Sequence, residues 1–190
     1  MKKHTILILI IIFLTGVSYL TLRKSKIFKV NSKVKIAQHD PNIGLINESE
    51  KKVIITVKPK MNFSYDFMKS GVIQHLDRNY TYDYIPKELE NGLLYQGIHR
   101  PANGTSVKIE LIEPATIYFF FHSTIDGGYT EIFENLKGWE RSNDAPKYDI
   151  YNGYHGLKMK MYKLNAEKGI YQIPATTKER ACFNVAFKFK

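Results

Sequence analysis

The chain contains a single cysteine, Cys182, and a single tryptophan, Trp139, among 190 residues. One thiol excludes an intramolecular disulfide and any site built from several thiolates. Cys182 sits in the alternating run Ala181 to Phe187, with Arg180 as the one nearby cation and no histidine close in sequence. A small buried hydrophobe is therefore its expected role, not a reactive thiol. Catalytic signatures are also missing. There is no Gly-x-Ser-x-Gly elbow, no glycine-rich phosphate loop, no His-Glu-x-x-His pair and no regular calcium loop. His99, His122 and His155 are 23 and 33 residues apart, which is not a zinc-ligand spacing, and they are expected as surface or core residues. Glu131 and Glu134 would share one side of a helix, whereas glycosidase carboxylates flank the scissile bond across a cleft. With no positioned acid, base and nucleophile, the expectation is a protein that is not an enzyme and that carries no cofactor or metal.

Acidic residues are absent before Asp40, while eight basic ones precede it: Lys2, Lys3, Arg23, Lys24, Lys26, Lys29, Lys33 and Lys35. Taking these eight from 28 Lys and Arg leaves 20 against 18 Asp and Glu, so most of the +10 net charge lies in the first 40 residues. A duplex-binding domain would carry its own basic face. The nearly neutral remainder argues against nucleic acid, and the basic stretch, lying beside an apolar segment, points to phospholipid head groups.

That apolar segment is Thr5 to Leu22, 18 residues without a charge. Its length falls between a signal-peptide core of about 7 to 15 residues and a spanning helix of about 20. Gly16-Val17-Ser18 suits cleavage, and Tyr19 to Leu22 prolongs the run as in a retained anchor, so both readings stand. Six basic residues from Arg23 to Lys35 favour a cytoplasmic C-terminal side. The Lys-Lys start before an apolar core looks instead like an export signal. Four Asn-x-Ser/Thr sequons, at Asn47, Asn62, Asn79 and Asn103, also favour export if the host is eukaryotic. They exceed the roughly 1.3 that composition predicts for this motif. The resulting organisation is a signal peptide or signal anchor over 1–22, a basic juxtamembrane stalk over 23–50 and one β-sandwich domain over 51–190, single-pass or secreted, with the domain outside the cytoplasm.

Aromatic residues are plentiful, with 13 Tyr and 11 Phe, and suit pleated sheets. Strands are predicted at Lys52 to Lys58, Tyr80 to Tyr84, Leu93 to Gln96, Ser106 to Ile112, Ala115 to Phe121, Lys158 to Leu164, Gly169 to Ile173 and Ala181 to Phe189, with one short helix over 131–138. Pro86, Pro114 and Pro174 punctuate them, since proline cannot donate to a ladder. Short strands separated by turn residues predict an all-β fold, a jelly-roll-like antiparallel sandwich preceded by an N-terminal hydrophobic helix. Period-two alternation places Ile117, Phe119, Phe121, Val185 and Phe187 on one core face.

Several stretches carry a family resemblance: Gly71 to Pro86, Glu113 to Phe121, Leu136 to Trp139, Met161-Tyr162 and Gly169 to Pro174. Together they resemble the accessory β-sandwich domains, galactose-binding-like jelly rolls, that lie beside catalytic domains in secreted polysaccharide lyases and glycoside hydrolases. The resemblance covers roughly residues 66–190. Many such domains carry a structural calcium ion. Here Asp126-Gly127-Gly128 is an isolated turn without a ligand series, so no calcium is carried over.

Sugar faces stack on exposed rings while their hydroxyls need placed polar groups. The stretch from Trp139 to His155, read as a loop, offers Trp139, Tyr148, Tyr151, Asn152, Tyr154 and His155. Trp139, Tyr151, Tyr154 and His155 are the expected ligand contacts, with Gly153 and Gly156 letting the backbone bend. Trp139 is the member most prone to burial, because tryptophan is highly buried on average. Asp77-Arg78 is expected as an ion pair or turn clamp. The partner expected is a glycan or glycoprotein, with the membrane held through the N-terminal segment. The alternative is an interaction subunit of a membrane complex without sugar recognition.

Overall fold

A computed structural model of the chain describes residues 48–150, 153–176, 178 and 181–190. The apolar segment, most of the basic stalk, Asn47, Tyr151, Asn152 and Arg180 lie outside the described residues. Among those described, no helix is long and apolar enough to cross a membrane.

The fold is built from antiparallel strands in two sheets. The smaller sheet has the order β1 (Val53–Lys58), β6 (Ser106–Leu111), β11 (Gly169–Ile173). The larger begins with β2 (Ser64–Phe67), β5 (Leu93–Gln96), β12 (Asn184–Phe189) and β7 (Ala115–His122). It continues through β10 (Tyr154–Ala166), β9 (Lys147–Ile150), β4 (Arg78–Tyr84) and β3 (Ile73–His75), and β8 (Glu140–Ser142) also pairs with β10.

Alternation explains the packing. In β1, Val53, Ile55 and Val57 are buried and the residues between them exposed, so this sheet covers one face only. Strand β7 is buried almost throughout, because both faces of the larger sheet are covered. Ile117, Phe119, Phe121, Val185 and Phe187 face a first core shared with the smaller sheet, as their spacing predicted. Tyr118, Phe120 and Ala186 face the opposite way, into a second core with Met68, Tyr82, Leu89, Tyr148 and Met161. The second core exists because the larger sheet curls. Its β3 end returns to β5, where the Leu76 N–H donates to the Gly97 carbonyl at 3.0 Å and the Gln96 amide donates to the Ile73 carbonyl. This seam brings the β3 end of the sheet against the end of β5.

Three expectations are corrected. The helix spans Tyr129–Asn135 and starts two residues earlier than expected. The Asp126 carboxylate accepts from the Gly128 N–H at 2.9 Å and the Thr130 hydroxyl at 2.7 Å, so the Asp126-Gly-Gly turn serves as a helix start. The stretch after Trp139 is not one loop, because β8 and β9 lie within it, held by pairing to β10 and β4. Strands β2 and β3 were not expected either. Both are short, and they are fixed by ladders to β5 and β4.

Candidate functional site

Among the described residues expected to contact a ligand, Trp139 lies apart from Tyr154 and His155. Trp139 is half-buried, its ring packed edge-on against Phe133 at 4.8 Å between centroids. The adjoining Gly138 abuts Leu164, ten residues along β10 from Tyr154. At about 3.3 Å per residue this is roughly 30 Å, too far for one sugar ring to touch both. Tyr154, by contrast, is 63% exposed. It stands at a bulge between Tyr154 and Leu157, where Gly156 adopts a left-handed φ of 63°. The Asp149 carboxylate holds this bulge, accepting from the Gly156 N–H at 2.9 Å and pairing with His155 Nδ1 at 2.7 Å. The His155 hydrogen bond, joined by the Gly156 N–H, keeps the Asp149 carboxyl below its ordinary range.

Neighbouring strands extend this surface. Tyr84 on β4 pairs with Lys147 on β9, whose ammonium lies 5.2 Å from the Tyr84 ring centroid. Lys147 and Asp149 are two residues apart, and Tyr148 between them is buried in the second core. Tyr84, Lys147, Asp149 and His155 therefore share the outer face of the β4–β9–β10 ribbon. This face carries an aromatic ring, a cation, a carboxylate and an imidazole.

A second constellation is buried at the seam. His75 ends β3, His99 follows β5, His122 ends β7 and Cys182 precedes β12. Continuing the β7–β12 register, in which Asn184 faces Phe120, puts Cys182 opposite His122. All four side chains are buried, and their ligand-type atoms lie within 4.8 Å of one another. Ring centroids are 5.1 Å apart for His75 and His99, 5.9 Å for His75 and His122, and 5.5 Å for His99 and His122. Of the three histidines whose spacing showed no ligand pattern, His99 and His122 thus meet here, with His75 and Cys182, while His155 is not in the cluster. Strand ends far apart in sequence meet where the sheet curls closed.

The surroundings orient these groups. The Asp77 carboxylate accepts from the His99 N–H at 2.7 Å and pairs with Arg78 at 3.2 Å, clamping the β3–β4 turn to the segment after β5. His122 stacks on Tyr148 at 4.1 Å, and its Nε2 bonds to the side-chain amide oxygen Oε1 of Gln74 at 2.8 Å. The Gln74 amide nitrogen donates to Met159 sulfur, so Gln74 oxygen accepts from His122 and Nδ1 of that ring keeps its lone pair. Asn184 donates to the Gln74 carbonyl at 2.8 Å. Among the described residues, neither ring nitrogen of His75 has a hydrogen-bond partner, and neither does Nδ1 of His99. Burial first, then the neighbouring imidazoles, lowers the His75 pKa well below its ordinary value. Burial likewise takes His122 to about 3, and takes His99, with Arg100 adding to the effect, to about 4. Burial pushes the Cys182 thiol up to about 12, opposed by a hydrogen bond from the His122 backbone. At neutral pH all three imidazoles are therefore neutral.

Beside the seam lies a cleft of about 360 Å³ lined by His75, Gln96, Asp66, Lys69, Arg78 and Asn79, among others. Another, of about 370 Å³, runs between the helix and Pro174 to Thr176. Neither is lined by a phenylalanine, tyrosine or tryptophan ring. The side chains of Asn62, Asn79 and Asn103 are all exposed.

No protein-family model matches the chain. No curated protein matches it either. Among solved structures it is similar to a β-glucuronidase from glycoside hydrolase family 2, with a TM-score of 0.53 and 15% identity. The match covers 70% of this chain and 14% of that enzyme. At this identity the likeness is one of fold. It agrees with a β-sandwich fold.

Proposed function

We propose that the chain is a non-catalytic module that binds a glycan or glycoprotein, exported or tethered to a membrane through Thr5 to Leu22. The observation that carries this reading is the fold likeness to a small part of a carbohydrate-acting enzyme. A likeness confined to 14% of that chain suits an accessory unit better than a whole catalytic apparatus.

The outer face of β4, β9 and β10 supports the choice of surface. A pyranose presents an apolar C–H face and a rim of hydroxyls. Tyr84, 39% exposed, offers a ring for the first, and Tyr154, 63% exposed, flanks this face at the bulge, where it pairs with Ile150. Lys147, Asp149 and His155 offer donors and acceptors for the second. The Asp149 bonds to His155 and the Gly156 N–H hold the bulge in place, lowering the ordering cost of binding. Trp139 has no part in this surface.

A glycan array probed with the purified chain tests the reading. Selective retention of a glycan class, lost when Tyr84 and Tyr154 are both replaced by Ala, is the expected result. A uniformly blank array, repeated with glycosylated proteins, removes sugar recognition and leaves the interaction-subunit alternative.

A further inference from the structure

We propose that His75, His99, His122 and Cys182 form a buried four-coordinate site for a zinc-class transition-metal ion that staples the seam of the curled sheet. This stands independently of sugar recognition.

Ligand chemistry comes first. Three imidazoles and one thiolate make a donor set of three nitrogens and one sulfur, suited to borderline ions such as Zn2+ and foreign to Ca2+ or Mg2+, which take oxygen ligands. Geometry agrees. Tetrahedral zinc, with bonds of about 2.0 to 2.3 Å, holds its ligand atoms about 3.3 to 3.6 Å apart. The four side chains already lie within 4.8 Å of one another, so rotamer adjustments of little more than about 1 Å complete the shell.

An independent observation is that both nitrogens of His75 and Nδ1 of His99 have no hydrogen-bond partner among the described residues. A fully buried imidazole can hydrogen-bond at both nitrogens, and leaving such groups unpaired forfeits the hydration they have in the unfolded chain. A bound cation converts that penalty into coordination bonds. Outer groups are also in place: Gln74 fixes the His122 tautomer, Asp77 anchors the His99 backbone, and the His122 N–H faces the Cys182 sulfur. The cleft lined by His75 opens beside the seam and supplies an entry path.

On binding, the three imidazoles coordinate as neutral ligands and Cys182 gives its thiol proton to solvent. With four protein ligands in a buried setting, no position remains for water, which makes the site structural and not hydrolytic. Its place explains what it does. The β3 end of the sheet meets β5 with few ladder bonds, and one ion would tie β3, β5, β7 and β12 together.

The test uses the full chain, stripped with a chelator and titrated with Zn2+ or Co2+. One ion per chain is expected, and at a thousandfold excess over Kd the melting temperature should rise by roughly 10 °C. Co2+ should give the intense d–d absorption of a four-coordinate ion with a thiolate-to-cobalt charge-transfer band. Since Cys182 is the sole cysteine, that band by itself places the ion here. Cys182→Ser should abolish the band. Gln74→Leu should keep it while weakening affinity by on the order of 10- to 100-fold, the usual cost of an outer-shell loss. If Cys182→Ser does not fold, the wild-type cobalt spectrum decides. No charge-transfer band and no change in melting temperature with either ion would overturn the proposal, as would zinc affinity unchanged in folded Cys182→Ser.

Discussion

The two cores on either side of the larger sheet are built on different principles. The first, between β1–β6–β11 and the inner face of β5, β12, β7 and β10, is aliphatic and aromatic, and its unpaired buried polar atoms are tyrosine hydroxyls. The second, enclosed by the curl of the larger sheet, ends at the seam in Gln74, His75, His99, His122 and Asn184, all buried. Apolar area is non-directional and rewards any close packing. Polar groups in a dry interior reward only one arrangement, because each must find its partner. The first core makes the sandwich stable, and the second fixes where the larger sheet closes.

The largest effect is expected in the first core. Phe119 is fully buried and packs against Phe183 at 5.3 Å, Phe133 at 4.8 Å and Tyr129 at 4.9 Å between ring centroids. Phe119→Ala should cost about 3 to 5 kcal/mol, since it removes the ring and leaves a cavity among rigid neighbours. Urea unfolding should show a lower midpoint at constant slope. A loss below about 1 kcal/mol would mean that the core is not close-packed there.

A substitution of a buried ring should behave differently at the seam. In chelator-treated protein, His75→Leu removes two unpaired buried nitrogens and supplies apolar volume, so stability should hold or rise by about 1 to 2 kcal/mol. With zinc present the ranking should reverse, because the wild type gains from the ion and the variant does not. A strong loss in both conditions would show that His75 has a hydrogen-bonded role of its own, and the contrast between the cores would narrow.

A smaller effect belongs to the helix that roofs the first core. Asp126→Ala removes the bonds to the Gly128 N–H and the Thr130 hydroxyl, and should cost about 1 kcal/mol. Burial pushes the Asp126 carboxyl up. The Gly128 N–H, the Thr130 hydroxyl, Lys160 and Lys178 outweigh that, and the pKa lies below its ordinary value. A carboxyl depressed in the fold contributes stability above its unfolded pKa of about 3.9 and loses it as pH falls through the folded value. The difference between wild type and Asp126→Asn, followed by thermal melts from pH 6 downward, should therefore shrink below about pH 4.

How much of this was legible in the sequence differs between the two cores. The first core could be read, because Ile117, Phe119, Phe121, Val185 and Phe187 alternate within single strands and local period alone assigns their face. The seam could not. His75, His99, His122 and Cys182 lie on four strand ends, and only the curl of the sheet brings them together. Spacing rules for metal ligands detect pairs on one turn or one hairpin and miss a site assembled from separate ladders. Strands β8 and β9 are hidden in the sequence for a similar reason, since pairing with β10 and not local pattern makes Glu140–Ser142 and Lys147–Ile150 extended. The signal that could have been used is weak but real: His122 directly follows a run buried on both faces, where a polar residue needs a partner.

The smallest stability effect, and the one that separates surface from core most sharply, is expected on the outer face of β4, β9 and β10. Tyr154, at the bulge that flanks this face, is 63% exposed, and substitutions at such positions usually change stability by no more than about 0.5 kcal/mol. Tyr84 is less exposed and bonds through its hydroxyl to Asp144 at 2.8 Å, so Tyr84→Ala should cost slightly more. Against a glycan retained on an array, each ring removed should weaken binding several-fold, in line with the roughly 0.5 to 1.5 kcal/mol that aromatic contacts contribute beyond area burial. The loss should come chiefly as faster dissociation, because the face is fixed beforehand by the Asp149 bonds to His155 and the Gly156 N–H. Asp149→Asn provides the complementary measurement. It keeps the shape of the side chain but weakens its hold on His155, so it should reduce sugar affinity while leaving both rings exposed. Affinity that persists through Tyr84→Ala, Tyr154→Ala and Asp149→Asn in folded protein would move recognition to the cleft beside Arg78 and Asn79, where polar groups without an aromatic platform would have to carry it.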